Sequence, residues 1–186
     1  MDAVGIEGVM NIVESPTGIS DFKLVHGLIF NRGLVNTNFV QELAGGNLIE
    51  QSIEFDHPLI LVVADKIDHI QNLLPILELV KKSKKPLVIF SMDLQEEPAS
   101  TLVYNNIKGI VSCAAVNIPW AGGVELEQLK DIAVMTGATI VDNEHMLTLP
   151  QVRMEHFGTA KFTKINEYET SIVGGSGQSD AIEERI

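Results

Sequence analysis

The sequence has a single cysteine, Cys113, few aromatic residues and few cations. With no disulfide possible within the chain, stability must come from burial. A chain of 186 residues can bury roughly two-thirds of the surface that its unfolded form exposes. Cys113 lies in the apolar run 109–116, which points to a buried, inert thiol rather than a nucleophile and fits a reducing compartment. Lys and Arg number 13 against 25 Asp and Glu, a formal net charge of −12. A surface that tracks phosphates needs clustered cations, so this balance argues against nucleic acid as a partner. The one basic cluster, Lys81-Lys82-Ser83-Lys84-Lys85, follows an apolar helical pattern and reads as cations balancing a helix C-terminus. Long hydrophobic runs are missing too. None approaches the ~18–20 residues that span a bilayer, and no charged-then-apolar signal segment opens the chain, so no membrane is expected.

What is present is an alternation. Runs rich in β-branched residues and bounded by turn formers occur at 58–64, 86–91, 109–116 and 138–142, and read as strands. Helical patterns at 70–82, 98–108 and 124–135 lie between them, which predicts an α/β core over about 58–142. Upstream, Val9–Val13 and Leu24–Phe30 suggest short strands. Downstream, 160–165 and 170–173 read as a hairpin-like pair. The segment Gln41–Phe55 reads as a loop excursion, Gly174–Gly177 as a flexible joint, and Asp180–Ile186 as the start of a helix.

The two helices after the first two core strands carry more apolar surface than one core can take. Pro75 is suited to the first turn of its helix. Leu74, Ile76, Leu77, Leu79 and Val80 then cover more than half of the helical wheel, whereas a surface helix usually buries a narrower stripe. In the next helix, expected to start at Pro98 and end at Gly109, Ala99, Leu102, Val103, Tyr104 and Ile107 spread as widely. Either both helices are sandwiched between layers or part of each is an exposed apolar patch, which on a soluble protein marks an interaction site.

Catalytic patterns are sparse. The histidines (His26, His57, His69, His145, His156) show no metal-ligand spacing, and Glu144-His145 and Glu155-His156 are adjacent pairs that do not face each other on a regular element. No nucleophile elbow occurs. Glu96-Glu97 is better suited to biasing a helix N-terminus than to acid–base work. The glycine-rich stretch lacks the Lys-Ser/Thr of a phosphate-binding loop.

An ordered series of segments carries a resemblance. Gly18-Ile19, Gly27, Phe30-Asn31-Arg32-Gly33 and Phe39 come first. Then follow Ala64-Asp65-Lys66, Leu74-Pro75-Ile76-Leu77-Glu78, Lys85-Pro86-Leu87-Val88-Ile89 and Thr101-Leu102-Val103-Tyr104-Asn105. The series closes with Gly109-Ile110-Val111, Ala114-Ala115-Val116, Leu129-Lys130-Asp131-Ile132-Ala133, Thr136-Gly137 and Phe157-Gly158-Thr159-Ala160-Lys161. Collinear over almost the whole chain, it resembles the apical domain of the group I chaperonins of bacteria and organelles. The resemblance implies an apical domain of the swivelling β/β/α type, a β-sandwich-like core flanked by helices. It places an intermediate-domain arm at 1–25, the apical domain at 26–175 and the start of a helix at 176–186. Met1 then reads as an initiator on a fragment.

By the same resemblance, the chain binds unfolded polypeptides and the mobile loop of a lid-like cochaperonin. The implied binding face is Leu34, Val35, Asn38, Phe39, Leu74, Leu77, Ala99, Val103 and Tyr104. Gly27 resembles a hinge glycine, and Arg32 an arginine that forms an inter-domain or inter-subunit salt link. The full-length protein would form a homo-oligomeric ring in an organelle matrix or bacterial cytoplasm. It would hydrolyse ATP with Mg in an equatorial domain whose Gly-Asp-Gly-Thr-Thr type motif does not occur here. The fragment itself is expected to need no cofactor, to hydrolyse no ATP and to be a monomer or weak self-associate.

Departures from the family are local. Leu34 and Asn38 stand where aromatics are usual, Ala99 where leucine is, and Tyr104 where valine is. The 41–58 loop is longer, and Pro119-Trp120-Ala121-Gly122-Gly123-Val124-Glu125-Leu126 lacks the family's basic residues. The rival reading is a scaffold that binds one folded partner. If the excess apolar arc is exposed, Leu77→Ser and Tyr104→Ser should cost binding but little stability, while Leu102→Ser should destabilise.

Overall fold

The computed structural model describes residues 27–40, 52–118, 124–144 and 146–178. The Val9–Val13 and Asp180–Ile186 expectations, the 1–25 arm, Gly18-Ile19, residues 41–51, His26, His145 and Pro119–Gly123 lie outside the described residues. From the N-terminal side, β1 (Gly27–Phe30) and β2 (Ile53–Asp56) belong to one sheet. The strands β3 (Leu59–Ile67), β4 (Leu87–Leu94), β5 (Cys113–Asn117), β6 (Ile140–Val141) and β7 (Gly158–Thr159) form a second. The chain then returns to the first sheet with β8 (Phe162–Ile165) and β9 (Thr170–Val173). Three helices join the strands of the second sheet: α1 (Leu74–Ser83), α2 (Glu96–Ile107) and α3 (Val124–Thr136).

The second sheet runs β5-β4-β3-β6 with every pairing parallel. Strand β7 lies antiparallel beside the first residues of β3, on Leu59 and Ile60. Leu59–Val63, Leu87–Ser91 and Cys113–Val116 are buried throughout, the continuous apolar run of a parallel sheet covered on both faces. Crossovers between parallel strands are right-handed. Because β3, β4 and β5 succeed one another in one direction, α1 and α2 share a face of the sheet, and α3, on the return to β6, takes the other. The first sheet is antiparallel, in the order β1-β9-β8-β2. Ile165 and Ile172 from it enter the same core as the parallel strands. Phe30 of β1 meets Phe90 of β4 edge-on, with ring centroids 5.7 Å apart.

The α/β class expected from the alternation is what is observed, with differences in detail. The expected strand 109–116 is Cys113–Asn117, the strand 138–142 narrows to Ile140–Val141, and the helix 70–82 divides into a 3-10 turn at Ile70–Asn72 and α1. Helix α2 starts at Glu96, two residues before Pro98. Proline is tolerated there because the first four N–H groups of a helix have no intrahelical acceptor. The end of the Gln41–Phe55 excursion is a strand: Ile53–Asp56 pairs with Ile165–Phe162. The glycine stretch after β9 is docked rather than a free joint. Gly177 N donates to Met135 O at 3.0 Å, Ser176 N to Thr159 O at 3.0 Å and Ser176 Oγ to Thr136 O at 2.7 Å. The donors to Met135 O and Thr136 O satisfy orphan carbonyls at the end of α3, and Ser176 N ties the stretch to β7. A Cβ at Gly177 would fall on the Val134 carbonyl oxygen, so only glycine permits that approach.

Candidate functional site

Helix α1 resolves its excess apolar arc by using a residue that precedes it. Leu73, Ile76, Leu77 and Val80 are buried, which is the i, i+3, i+4, i+7 spacing of one stripe against a core. Leu77 is therefore core, at 7% exposed, and the expectation that it faces solvent is corrected. Leu74 is displaced to the outside at 49%, and Leu79 is half-buried.

Helix α2 divides in the same way. Pro98, Ala99, Leu102 and Val103 are buried, while Tyr104 is 58% and Ile107 48% exposed. The i, i+3 spacing makes Tyr104 and Ile107 neighbours on the outer surface, and Lys108 Nζ stands 5.7 Å from the Tyr104 ring centroid. Gly109 follows with φ 64°, the left-handed conformation that ends a helix and suits glycine. It turns the exposed Ile110 out next to this surface.

The inward position that would continue the α2 stripe is Asn106, a polar residue. Asn106 Nδ2 donates to Phe39 O at 3.1 Å, and its Oδ1 accepts from Cys113 N at 3.1 Å. One side chain thus ties the segment before the loop to both α2 and β5. That segment lies along the outer edge of β5. Leu34 bridges Val116, Leu34 N donates to Asn166 O and Val35 N to Ala115 O, both at 2.9 Å. A single 3-10 turn follows at Thr37–Phe39, capped by Asn36 Oδ1, which accepts from Asn38 N at 2.9 Å.

The nine residues singled out for binding are therefore divided. Leu74, Asn38 and Tyr104 are exposed and Val35 is half-buried, while Leu34, Phe39, Leu77, Ala99 and Val103 belong to the core. Ile110 and Asn106 were missed by the sequence reading. Asn106 fills an inward helix position with a polar side chain, and Ile110 lies just past the glycine. Both signals are visible only once the helix faces are assigned.

The other singled-out residues take structural places. Gly27 opens β1 opposite Val173. Arg32 is half-buried with its Nε enclosed and unpartnered, its Nη1 reaching only Asn31 O at 3.5 Å, and no carboxylate among the described residues pairs with it. Cys113 is fully buried beside the Leu102 carbonyl, with Sγ–O at 3.4 Å. Burial pushes its thiol up to about 12, so it stays protonated at neutral pH. His69 Nδ1 lies 3.5 Å from Glu97 Oε2, both exposed, linking the N-terminal ends of α1 and α2. Among the described residues no group of three or more His, Cys, Asp or Glu is placed to hold a metal ion. Among the same residues no helix is long and apolar enough to cross a membrane. No family model matches the sequence.

Proposed function

We propose that this chain is the polypeptide-binding apical module of a group I chaperonin. It would hold non-native chains and, in the assembled ring, the cochaperonin mobile loop. The reading is supported most by one observation. Two parallel helices on one face of the sheet leave Leu74, Tyr104, Ile107 and the adjoining Ile110 out in solvent although both already bury a complete core stripe. Among the described residues, no core position requires those side chains to be apolar. A surface that must receive many sequences does, because apolar burial is non-directional and contributes ~25 cal/mol per Å².

The exposed apolar area is only a few side chains, so one copy binds weakly and several copies in a ring acting on one client raise the avidity. Release would come from rotating this face away from the client, with ATP and Mg in an equatorial domain supplying the differential energy. In this reading 26–175 is the apical body, 1–25 and 176–186 lead toward an intermediate domain, and Gly27 is a hinge. Arg32 would meet its carboxylate on another domain or subunit, which fits the lack of any carboxylate paired with it among the described residues. The working compartment would be an organelle matrix or a bacterial cytoplasm.

A second reading is favoured by the burial of Leu77, Ala99 and Val103. A rigid, well-packed face with few apolar contacts also suits one specific folded partner. Capture of several unrelated proteins in denatured and native form separates the two. The chaperone reading expects binding to most denatured clients and to none of their folded forms. Binding to neither, or to one native protein alone, would sink it.

A further inference from the structure

Helices α1 and α2 share a face and run the same way, so their C-terminal ends lie together. There the end of α1, the turn that follows α2 and strand β2 line a cleft of about 330 Å³, whose lining includes Lys81, Lys84, Lys85, Ile110, Glu54 and Asp56. Ile110, just past the Gly109 turn that ends α2, is exposed and lines this cleft, and the exposed Tyr104 and Ile107 precede it on the last turns of α2. The cleft is cationic on a chain whose net charge is −12. Glu54 is already paired, its Oε1 lying 3.0 Å from Lys164 Nζ. Among the described residues, three lysines therefore share the lining with one carboxylate that has no ion pair, Asp56. Among the described residues none of the three lysines has a carboxylate within ion-pair distance. The helix dipole accounts for cations in the last turn of α1, where Lys81 and Lys82 sit. The dipole's effect falls off within that turn. Lys84, the left-handed cap at φ 57°, and Lys85 beyond it are left for something else.

We propose that this cleft is an acidic-residue subsite of the polypeptide-binding face. Its occupant is an extended segment with Asp or Glu a few residues from an apolar anchor, the anchor lying on Tyr104 and Ile107 and the carboxylate among Lys81, Lys84 and Lys85. The proposal rests on the chaperone reading above and adds a selection to it: acidic clients are held more tightly than neutral or basic ones of equal hydrophobicity. Long side chains in water contribute modestly one by one, and three converging on one short segment act together.

The test is an anisotropy titration of the chain with three labelled peptides of identical length and apolar anchors, flanked by Glu, by Gln or by Lys. The Glu peptide should bind roughly tenfold more tightly than the Gln peptide at low salt, and the Lys peptide most weakly. Raising salt to about 0.5 M should remove that advantage. So should Lys81→Gln/Lys84→Gln/Lys85→Gln, with Gln-peptide binding unchanged. The single variant Lys85→Gln, melting as the parent, should remove part of the preference if the triple variant is poorly folded. Equal binding of the Glu and Gln peptides, or a preference that survives the triple substitution, overturns the subsite and leaves the chaperone reading standing. Binding of none of the three peptides, at concentrations high enough to fill a weak single-copy site, overturns both.

Discussion

Replacing Leu77 and Tyr104 by serine separates core from surface on the two helices. Leu77 is 7% exposed and completes a buried stripe with Leu73, Ile76 and Val80. Truncation to serine empties that site, and large-to-small changes of this kind cost ~2–5 kcal/mol. The new hydroxyl can bond back to the Leu73 carbonyl, which already accepts the Leu77 N–H at 2.9 Å. That local bond limits the extra penalty of a stranded polar group. In a protein of this size each kcal/mol moves the midpoint by ~2–4 °C, so Leu77→Ser should melt about 5–15 °C early. Tyr104 is 58% exposed. Its loss removes a cation–π contact of ~0.5–1 kcal/mol with Lys108 and changes helix propensity little, so the midpoint should fall by about 3 °C or less. Circular dichroism melts of both variants beside Leu102→Ser, whose parent side chain is fully buried, read the difference directly. A denatured-client capture assay on the same samples completes the comparison. Leu77→Ser should group with Leu102→Ser in melting, and Tyr104→Ser should lose capture alone. Leu77→Ser melting as the parent while losing capture would refute the assignment of Leu77 to the core.

Asn106→Ala removes two bonds, to Phe39 O and Cys113 N, and should cost ~1–3 kcal/mol. Amide exchange should then rise selectively around Val35–Val40. Gly177→Ala should destabilise by a comparable amount, because its Cβ collides with the Val134 carbonyl; an unchanged melting midpoint would show that the docked stretch yields freely. The Cys113 thiol is raised from 9.0 to about 12, so the native state holds the neutral form. Its stabilising contribution is complete below pH 9, where the unfolded thiol is also protonated, and is lost as pH rises toward 12. The difference in stability between the parent and Cys113→Ala should accordingly shrink over that range and stay constant below it. Native Cys113 should also resist thiol reagents at pH 8, and labelling before unfolding would contradict its burial.

The strands of the parallel sheet were legible because a strand covered on both faces must be apolar at every position, as Leu59–Val63 and Leu87–Phe90 are. The helices were legible from period and caps: Glu96 and Glu97 do lie in the first turn of α2, and Lys81 and Lys82 in the last turn of α1. Strand β2 was not legible. Four residues carry little periodic signal, and their partner strand β8 is more than a hundred residues away. The binding face was legible as an excess of apolar residues but not as a particular set. A wheel counted from Leu74 omits Leu73, and the omission shifts the stripe so that Leu77 looks outward. On α2, the polar Asn106 points in and the apolar Ile107 points out. Hydropathy alone suggests the reverse, and it is the buried stripe Pro98, Ala99, Leu102 and Val103, with the hydrogen bonds from Asn106 to Phe39 and Cys113, that shows which face is which.

The most direct test of the chaperone reading is capture of several unrelated denatured proteins by the chain and by its Leu74→Ser/Tyr104→Ser/Ile107→Ser variant. All three side chains are about half or more exposed, so the variant should melt within a few degrees of the parent. The account predicts capture of most denatured clients by the parent and near-complete loss of capture by the variant. Equal capture by both proteins would contradict it, because the exposed apolar side chains of α1 and α2 would then not be the surface that holds the client.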